Sequence, residues 1–431
     1  MKNKAKLLSL VPIIYFSVSG GPFGLEEVIS AVGPLASLLL ILLIPLCWTI
    51  PEALIVAELS SSFPVHGGYY RWVQIAMGRF WGFMEGWWSI LYTVIDLTIY
   101  PVLFITYLKI LFPLISPLHS YLIQLFVIWF CAVVNIFGIR TVGVLLIGFK
   151  VFILLSFLYF IVVCFVNVPF KFDLILNSNN NITYNNLLYG ISLAFWNFIG
   201  WDNATTALHE VDDAKRNYPK ALFITIPVVV FFYFLPLLAS VSVDTNWHSW
   251  SFGQFSKIAT QIHSPTLSVI LAIGGMIMCL GIFNSLLLSS TRVFSAMSED
   301  KLLPSYFSKL HSVHYTPYIS IIFLSLLYSF LVFIDLHSLV VFDVFFYLIA
   351  LLLEVISLII LRKKFGINND SFIIPGKKAG LIVTVSMAFV TIILLLLLNL
   401  FGLFYSSQNV FVLFLLVFSG IPLYILYRNK R

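Results

Sequence analysis

The chain has 431 residues, of which 61% are hydrophobic, 17% aromatic and only 10% charged. A soluble domain carries about 25% charged residues, so a water-soluble globule, a disordered chain and a nucleic-acid binder are excluded. The formal net charge of +6 therefore has meaning only through where the charges sit.

A bilayer core of about 30 Å needs about 20 apolar residues per helix. Twelve such runs follow in chain order, at 7–31, 35–59, 81–108, 120–137, 144–166, 187–209, 221–243, 266–297, 319–334, 339–361, 379–401 and 410–427. They leave no room for a soluble domain of ordinary size. The first follows Lys2, Lys4 and Lys6 but lacks a small-residue cleavage site, so it reads as an uncleaved span. With the N-terminus in the cytoplasm, all but four of the 24 Lys and Arg residues fall in cytoplasmic segments. The exceptions are Lys109, Lys171 and Lys257 outside, and Lys150 within a span. This bias predicts an integral, multi-pass protein of a plasma or inner membrane with both termini cytoplasmic.

The Asn-rich stretch 177–186 is expected to be an outer loop, and Asn181-Ile182-Thr183 fits the glycosylation pattern. The four cysteines Cys47, Cys131, Cys164 and Cys279 lie in apolar runs without metal-ligand spacing, so neither metal nor cofactor is expected. The eight histidines map to loops or span ends. No nucleophile-and-base or zinc motif accompanies them, so no enzymatic site is read.

Two spans are interrupted. The first contains Ser19-Gly20-Gly21-Pro22-Phe23-Gly24, the sixth Asn197-Phe198-Ile199-Gly200-Trp201-Asp202-Asn203. Spans n and n+5 broken alike are what two inverted five-helix halves produce. The alternative is that Gly and Pro are simply frequent in membrane helices. A broken helix frees backbone groups, which is costly in lipid unless they line a wet cavity or hold a ligand.

Acidic residues within or near the spans are Glu26, Glu27, Glu52, Glu58, Glu85, Asp96, Asp202, Asp343 and Glu354. Glu58, Glu85, Asp343 and Glu354 read as span-end or backbone-bonded groups. Asp96 lies mid-span, Asp202 in the second break, and Glu26 and Glu27 just after the first. These are expected to converge on one midplane cavity that favours a cation, or a substrate accompanied by protons. Lys150 admits two readings, snorkelling to the cytoplasmic face or a desolvated amine that exchanges a proton. Phe23 and Trp201 could gate an ammonium by cation–π contact.

The motif Ser19-Gly-Gly-Pro-Phe-Gly-Leu-Glu26 resembles the first span of the amino acid–polyamine–organocation permeases. The closest branch is that of polyamine uptake and L-type amino acid transport. Ile50-Pro-Glu-Ala-Leu-Ile-Val-Ala-Glu-Leu59, Phe63-Pro-Val-His-Gly-Gly-Tyr69, Phe80-Trp-Gly-Phe-Met-Glu-Gly86, Phe195-Trp-Asn197 and the stretch Ser290 to Pro304 match in the family's order. The resemblance implies an all-α polytopic membrane protein of twelve transmembrane helices. Its five-plus-five inverted-repeat core comprises 1–166 and 187–361, and two extra helices occupy 379–427. It also implies that Ser19, Gly20, Gly21 and Gly24, with Phe198, Gly200, Trp201 and Asp202, line the substrate site. Lys150 resembles the fifth-span lysine that replaces a bound sodium ion in proton-coupled relatives.

Amino acid carriers of this family hold the α-carboxylate on first-span amides. Here Pro22 removes one donor, and Glu26 and Glu27 would repel a carboxylate. A proton-coupled secondary carrier for polyamines or other cations is thus preferred; a neutral amino acid permease or exchanger is the alternative, and a non-transporting sensor the second. The partners expected are a small substrate, protons and the bilayer, with no nucleic acid; the oligomeric state stays open.

Overall fold

The computed structural model describes residues 4–169, 175, 182–332, 336–367, 370–403 and 407–428. Lys2, Lys171, Lys430 and Arg431, and residues 177–181 of the polar loop with the glycosylation asparagine, lie outside the described residues. Among the described residues, fifteen α-helices make up the bundle. They are α1 (Leu7–Val18), α2 (Glu26–Ile44), α3 (Ile50–Ser62), α4 (Gly68–Met77), α5 (Arg79–Leu111), α6 (Pro117–Ile136), α7 (Ile139–Asn167), α8 (Tyr184–Trp196), α9 (Ala214–Val243), α10 (Gln254–Gln261), α11 (Pro265–Glu299), α12 (Tyr318–Leu331), α13 (Leu336–Phe365), α14 (Lys377–Leu403) and α15 (Ser407–Arg428). Among the described residues there is no strand, only an isolated bridge from Ala5 to Val211.

Among the described residues, eight helical segments are long and apolar enough to cross a membrane, and three shorter apolar helices accompany them. The longest crossing segment, Glu26–Ser62, is bent at Gly33, where φ is +77° and Pro34 follows. Proline cannot donate the next helical hydrogen bond, and glycine alone takes this torsion without strain. The run at 319–334 forms the 14-residue helix α12, about 21 Å long and shorter than the run itself.

α5 and α11 pack along each other at the centre, and α13 packs on α5. These three helices carry much of the buried surface. By contrast Val151 and Leu155 on α7, Val390 and Leu394 on α14, and Phe414 and Phe418 on α15 are exposed. Leucine and phenylalanine left outward on long helices are stable only against an apolar surrounding such as lipid tails.

Candidate substrate site between two broken helices

The first break runs from Ser19 to Leu25. α1 ends when Ser19 turns extended, at φ −143° and ψ 149°. Gly21 (φ +103°) and Gly24 (φ +96°) supply the left-handed torsions that reverse the chain. Three of the freed amides are held locally. Gly21 N–H donates to Ser19 Oγ at 3.1 Å, and Gly24 N–H donates to Glu26 Oε2 at 2.6 Å. Leu25 N–H donates to the Pro22 carbonyl at 3.2 Å. A carboxylate at a helix start also complements the partial positive charge of α2.

The second break separates α8 from a 3₁₀ turn, Asn203–Glu210. Its backbone is satisfied by aromatic side chains from other helices. Tyr233 Oη donates to the Asn197 carbonyl (2.8 Å), and Trp48 Nε1 to the Phe198 carbonyl (3.3 Å). Tyr218 Oη donates to the Trp201 carbonyl (2.9 Å). Gly200 N–H donates to Tyr347 Oη at 2.9 Å.

The two breaks touch. A Cβ on Gly200 would stand 2.3 Å from the Ser17 carbonyl oxygen, and one on Gly24 would stand 3.5 Å from Asn197 Oδ1. Between them lies a cavity of about 20 Å³, lined among others by Ser19, Gly20, Phe23, Gly24, Tyr100 and Trp196. That is room for about one water molecule. Phe23 closes one side by edge-to-face contacts with Tyr107, Phe157 and Phe255 at 5.3, 4.9 and 6.3 Å. The opposite, arginine-rich end is latched by polar pairs. Arg292, wholly buried, pairs with Glu210 at 2.9 Å, and Arg71 with Asp300 at 2.6 Å. Beneath that latch a wider cavity of about 430 Å³ is lined by Lys4, His66, His209, Arg292 and Glu299. His66, in the loop before α4, stands 2.9 Å from His209. Burial, then the nearby His209, Arg292 and Arg71, push its pKa down to about 3.

Of the residues singled out in the sequence, Ser19, Gly20, Phe23 and Gly24 line the small cavity. Asp96 stands one side chain behind it, accepting from Tyr100 Oη (3.0 Å) and Trp196 Nε1 (3.2 Å). Glu26 turns back onto Gly24 instead of facing the cavity. Gly21 faces Ile153 and Phe157. Phe198 packs on Tyr233, and Trp201 is buried with its Nε1 on the Phe198 carbonyl. Asp202 lies elsewhere, beside Tyr347 (2.7 Å). Lys150 sits 5.0 Å over the ring of Tyr15, a cation–π contact rather than a carboxylate pair.

Several lining residues are given no site role by the linear pattern, Trp196 appearing there only within the Phe195-Trp-Asn197 resemblance. Tyr100, Trp196 and Tyr233 are three aromatics among 20 Tyr and 10 Trp. Glu58 is a structural acid, held by both guanidinium arms of Arg362 and by the Ile374 amide. Glu85, Asp343 and Glu354 differ from the expectation of span-end groups. All three are buried, and none forms an ion pair among the described residues. The α5 positions 85, 89, 92, 96 and 100 fall on one face by their 3–4 spacing, which was the available clue.

A bundle with two helices broken against each other around a closed, water-sized hollow defines an integral membrane transporter. The chain belongs to the amino acid permease family, whose model matches residues 7–422. It is similar to the polyamine transporter RMV1 of Arabidopsis thaliana, at 32% identity over 86% of this chain and 76% of that one. It is similar to the polyamine transporter PUT1 of Oryza sativa subsp. japonica, at 33% over 88% and 72%. A more distant likeness, 26% over 75% and 63%, joins it to the large neutral amino acids transporter small subunit 2 of Homo sapiens.

Proposed function

We propose that this protein carries polyamines or related organic cations across the membrane by alternating access, driven by protons, and catalyses no covalent reaction. The observation that carries the substrate preference is the seat of Glu26. Its carboxylate accepts the Gly24 amide at 2.6 Å, Ser19 takes the Gly21 amide, and Pro22 has none. Three of the donors that would grip a substrate carboxylate, at Gly21, Pro22 and Gly24, are thus engaged or missing. An amine needs none of them and gains from Asp96 behind Tyr100 and Trp196. The names of the plant relatives point the same way.

The transport reading entails twelve spans, two inverted five-helix halves at 1–166 and 187–361, and both termini cytoplasmic, so the arginine-rich end faces the cytoplasm. The hollow sealed on both sides then corresponds to an occluded step between outward and inward opening. Lys150, over Tyr15, is the candidate proton-exchanging amine on α7. A neutral amino acid permease or exchanger is the second reading, to which the name of the human relative points.

The test is uptake of radiolabelled putrescine and spermidine into proteoliposomes. Uptake rising with an inward proton gradient supports the proposal. Saturable uptake of a neutral amino acid without polyamine competition overturns it in favour of the exchanger. Substrate binding without any flux favours a sensor.

A further inference from the structure

Carboxyl groups occur at two levels of the α5–α13 interface. Asp96 on α5 and Asp343 on α13 form one level, each four residues along its helix from the contact of Tyr92 with Tyr347. Glu85 on α5 and Glu354 on α13, each seven residues to the other side of that contact, form the second, beside Asp202 and Glu52, which both meet Tyr347 Oη. On both helices the two levels are eleven residues apart. Eleven residues are three helical turns, so each helix presents both acids on one face, about 16 Å apart along its axis. Between the levels stand Tyr92 and Tyr347, whose rings meet edge to face at 5.3 Å.

The second level is built for a cation that it does not itself supply. Glu52 Oε2, Glu85 Oε2 and Glu354 Oε2 are buried without a hydrogen-bond partner, as is Ser357 Oγ one turn along α13 from Glu354. At the first level both oxygens of Asp343 are equally unpartnered. No lysine or arginine among the described residues pairs with any of these acids. A donor count gives an independent reason. Tyr347 Oη lies 2.5 Å from Glu52 Oε1 and 2.7 Å from Asp202 Oδ1, and it accepts from Gly200 N–H. One hydroxyl hydrogen cannot serve two carboxylates, so a proton or another cation must be shared there. Buried carboxylates are tolerated only when paired or neutralised.

We infer that the Glu52–Glu85–Asp202–Glu354 cluster is a second ammonium site, in register with Asp96 and Asp343, so that one long polyamine bridges both levels. An extended linear tetraamine advances about 1.25 Å per bond and reaches about 16 Å between its end nitrogens. A four-carbon diamine reaches about 6 Å on the same basis and occupies one level. The two tyrosines fill the space between levels in this closed state and part when a long chain enters. The inference rests on the polyamine reading above and adds to it a preference for length.

A series of α,ω-diamines from four to twelve carbons, each competing with labelled spermidine on the purified full chain, tests it. Affinity should rise with length and be greatest near twelve carbons, about tenfold above the four-carbon member, the worth of one added charge-assisted contact. In E354Q the ratio of long to short affinity should collapse towards one. In D343N long and short members should weaken together. A flat series, or one best at four carbons, overturns the second site while leaving polyamine transport standing. Absence of any amine binding overturns both. Because buried methylenes also raise affinity, monoamines of the same lengths are run beside the diamines on the wild type; an equal rise in both series overturns the second site even if E354Q does not fold.

Discussion

The two broken helices solve one problem in opposite ways. In the first break the freed amides are held by groups within a few residues, Ser19, Pro22 and Glu26. In the second, three freed carbonyls accept from Tyr233, Trp48 and Tyr218 and the Gly200 amide donates to Tyr347, partners drawn from three other segments. A locally closed loop can shift as a unit without breaking its own hydrogen bonds. A loop wired to α9, α13 and the turn before α3 can move only if those elements move with it. The difference suits a carrier in which one break follows the substrate and the other links it to the scaffold.

The largest effect should come where the two breaks meet. Gly200→Ala places a methyl 2.3 Å from the Ser17 carbonyl at a φ of +101°. Uptake should fall at least about a hundredfold, because neither the contact nor the torsion can relax. Normal uptake in this variant would show that the breaks are not in contact during transport.

Next comes Glu26→Ala, which frees the Gly24 amide. Amine uptake should drop about tenfold, and neutral amino acids should begin to compete. Competition assays with leucine and spermidine read both changes. If leucine remains inert, the first break is not the element that excludes carboxylates.

Tyr347→Phe strips the hydroxyl that ties Gly200, Asp202 and Glu52 together. The loss should be about three- to tenfold in uptake, in line with about 1 kcal/mol for one net hydrogen bond. The matching change at the first break, Ser19→Ala, should be milder because it removes one local bond. Equal losses would erase the distinction between a local and a wired break.

The smallest effect concerns the latch below the second break. His66 has its pKa lowered from 6.5 to about 3 in the closed form, so this form favours the neutral ring. Its contribution is full above pH 6.5 and fades as pH falls towards 3. Thermal stability of the purified protein should therefore decline from pH 7 to pH 5. His66→Asn should flatten that part of the profile, and an unchanged slope would remove His66 from the latch.

Much of this architecture can be read from the chain alone. Hydropathy marks the apolar runs, and Gly20, Gly21, Pro22 and Gly24 mark the first break because few other residues permit such a reversal. Gly200 between polar and aromatic neighbours marks the second. Grouping Asp202 with Asp96 in a single cavity is what local pattern could not decide. Asp202 faces Tyr347, more than a hundred residues later, and only the packing of α13 reveals that partner. The same holds for Glu85, Asp343 and Glu354. Each reads as an isolated acid until α5 and α13 lie side by side. Tyr100, Trp196 and Tyr233 stay hidden for a different reason. In a chain with 42 Phe and 20 Tyr, an aromatic is the ordinary lipid-facing residue, and its type says nothing of which way it points.

The Glu26–Gly24 contact has a consequence for selectivity beyond charge. A carboxylate tethered two residues from its amide acts at an effective concentration far above that of any dissolved competitor, which for short tethers is at least millimolar. On the polyamine reading, an amino acid docking on the Gly24 amide would have to displace this tethered rival, whereas a diamine would not. Discrimination of this kind depends on chain connectivity, not on the width of the hollow, and it should persist through every opening motion that keeps the start of α2 intact.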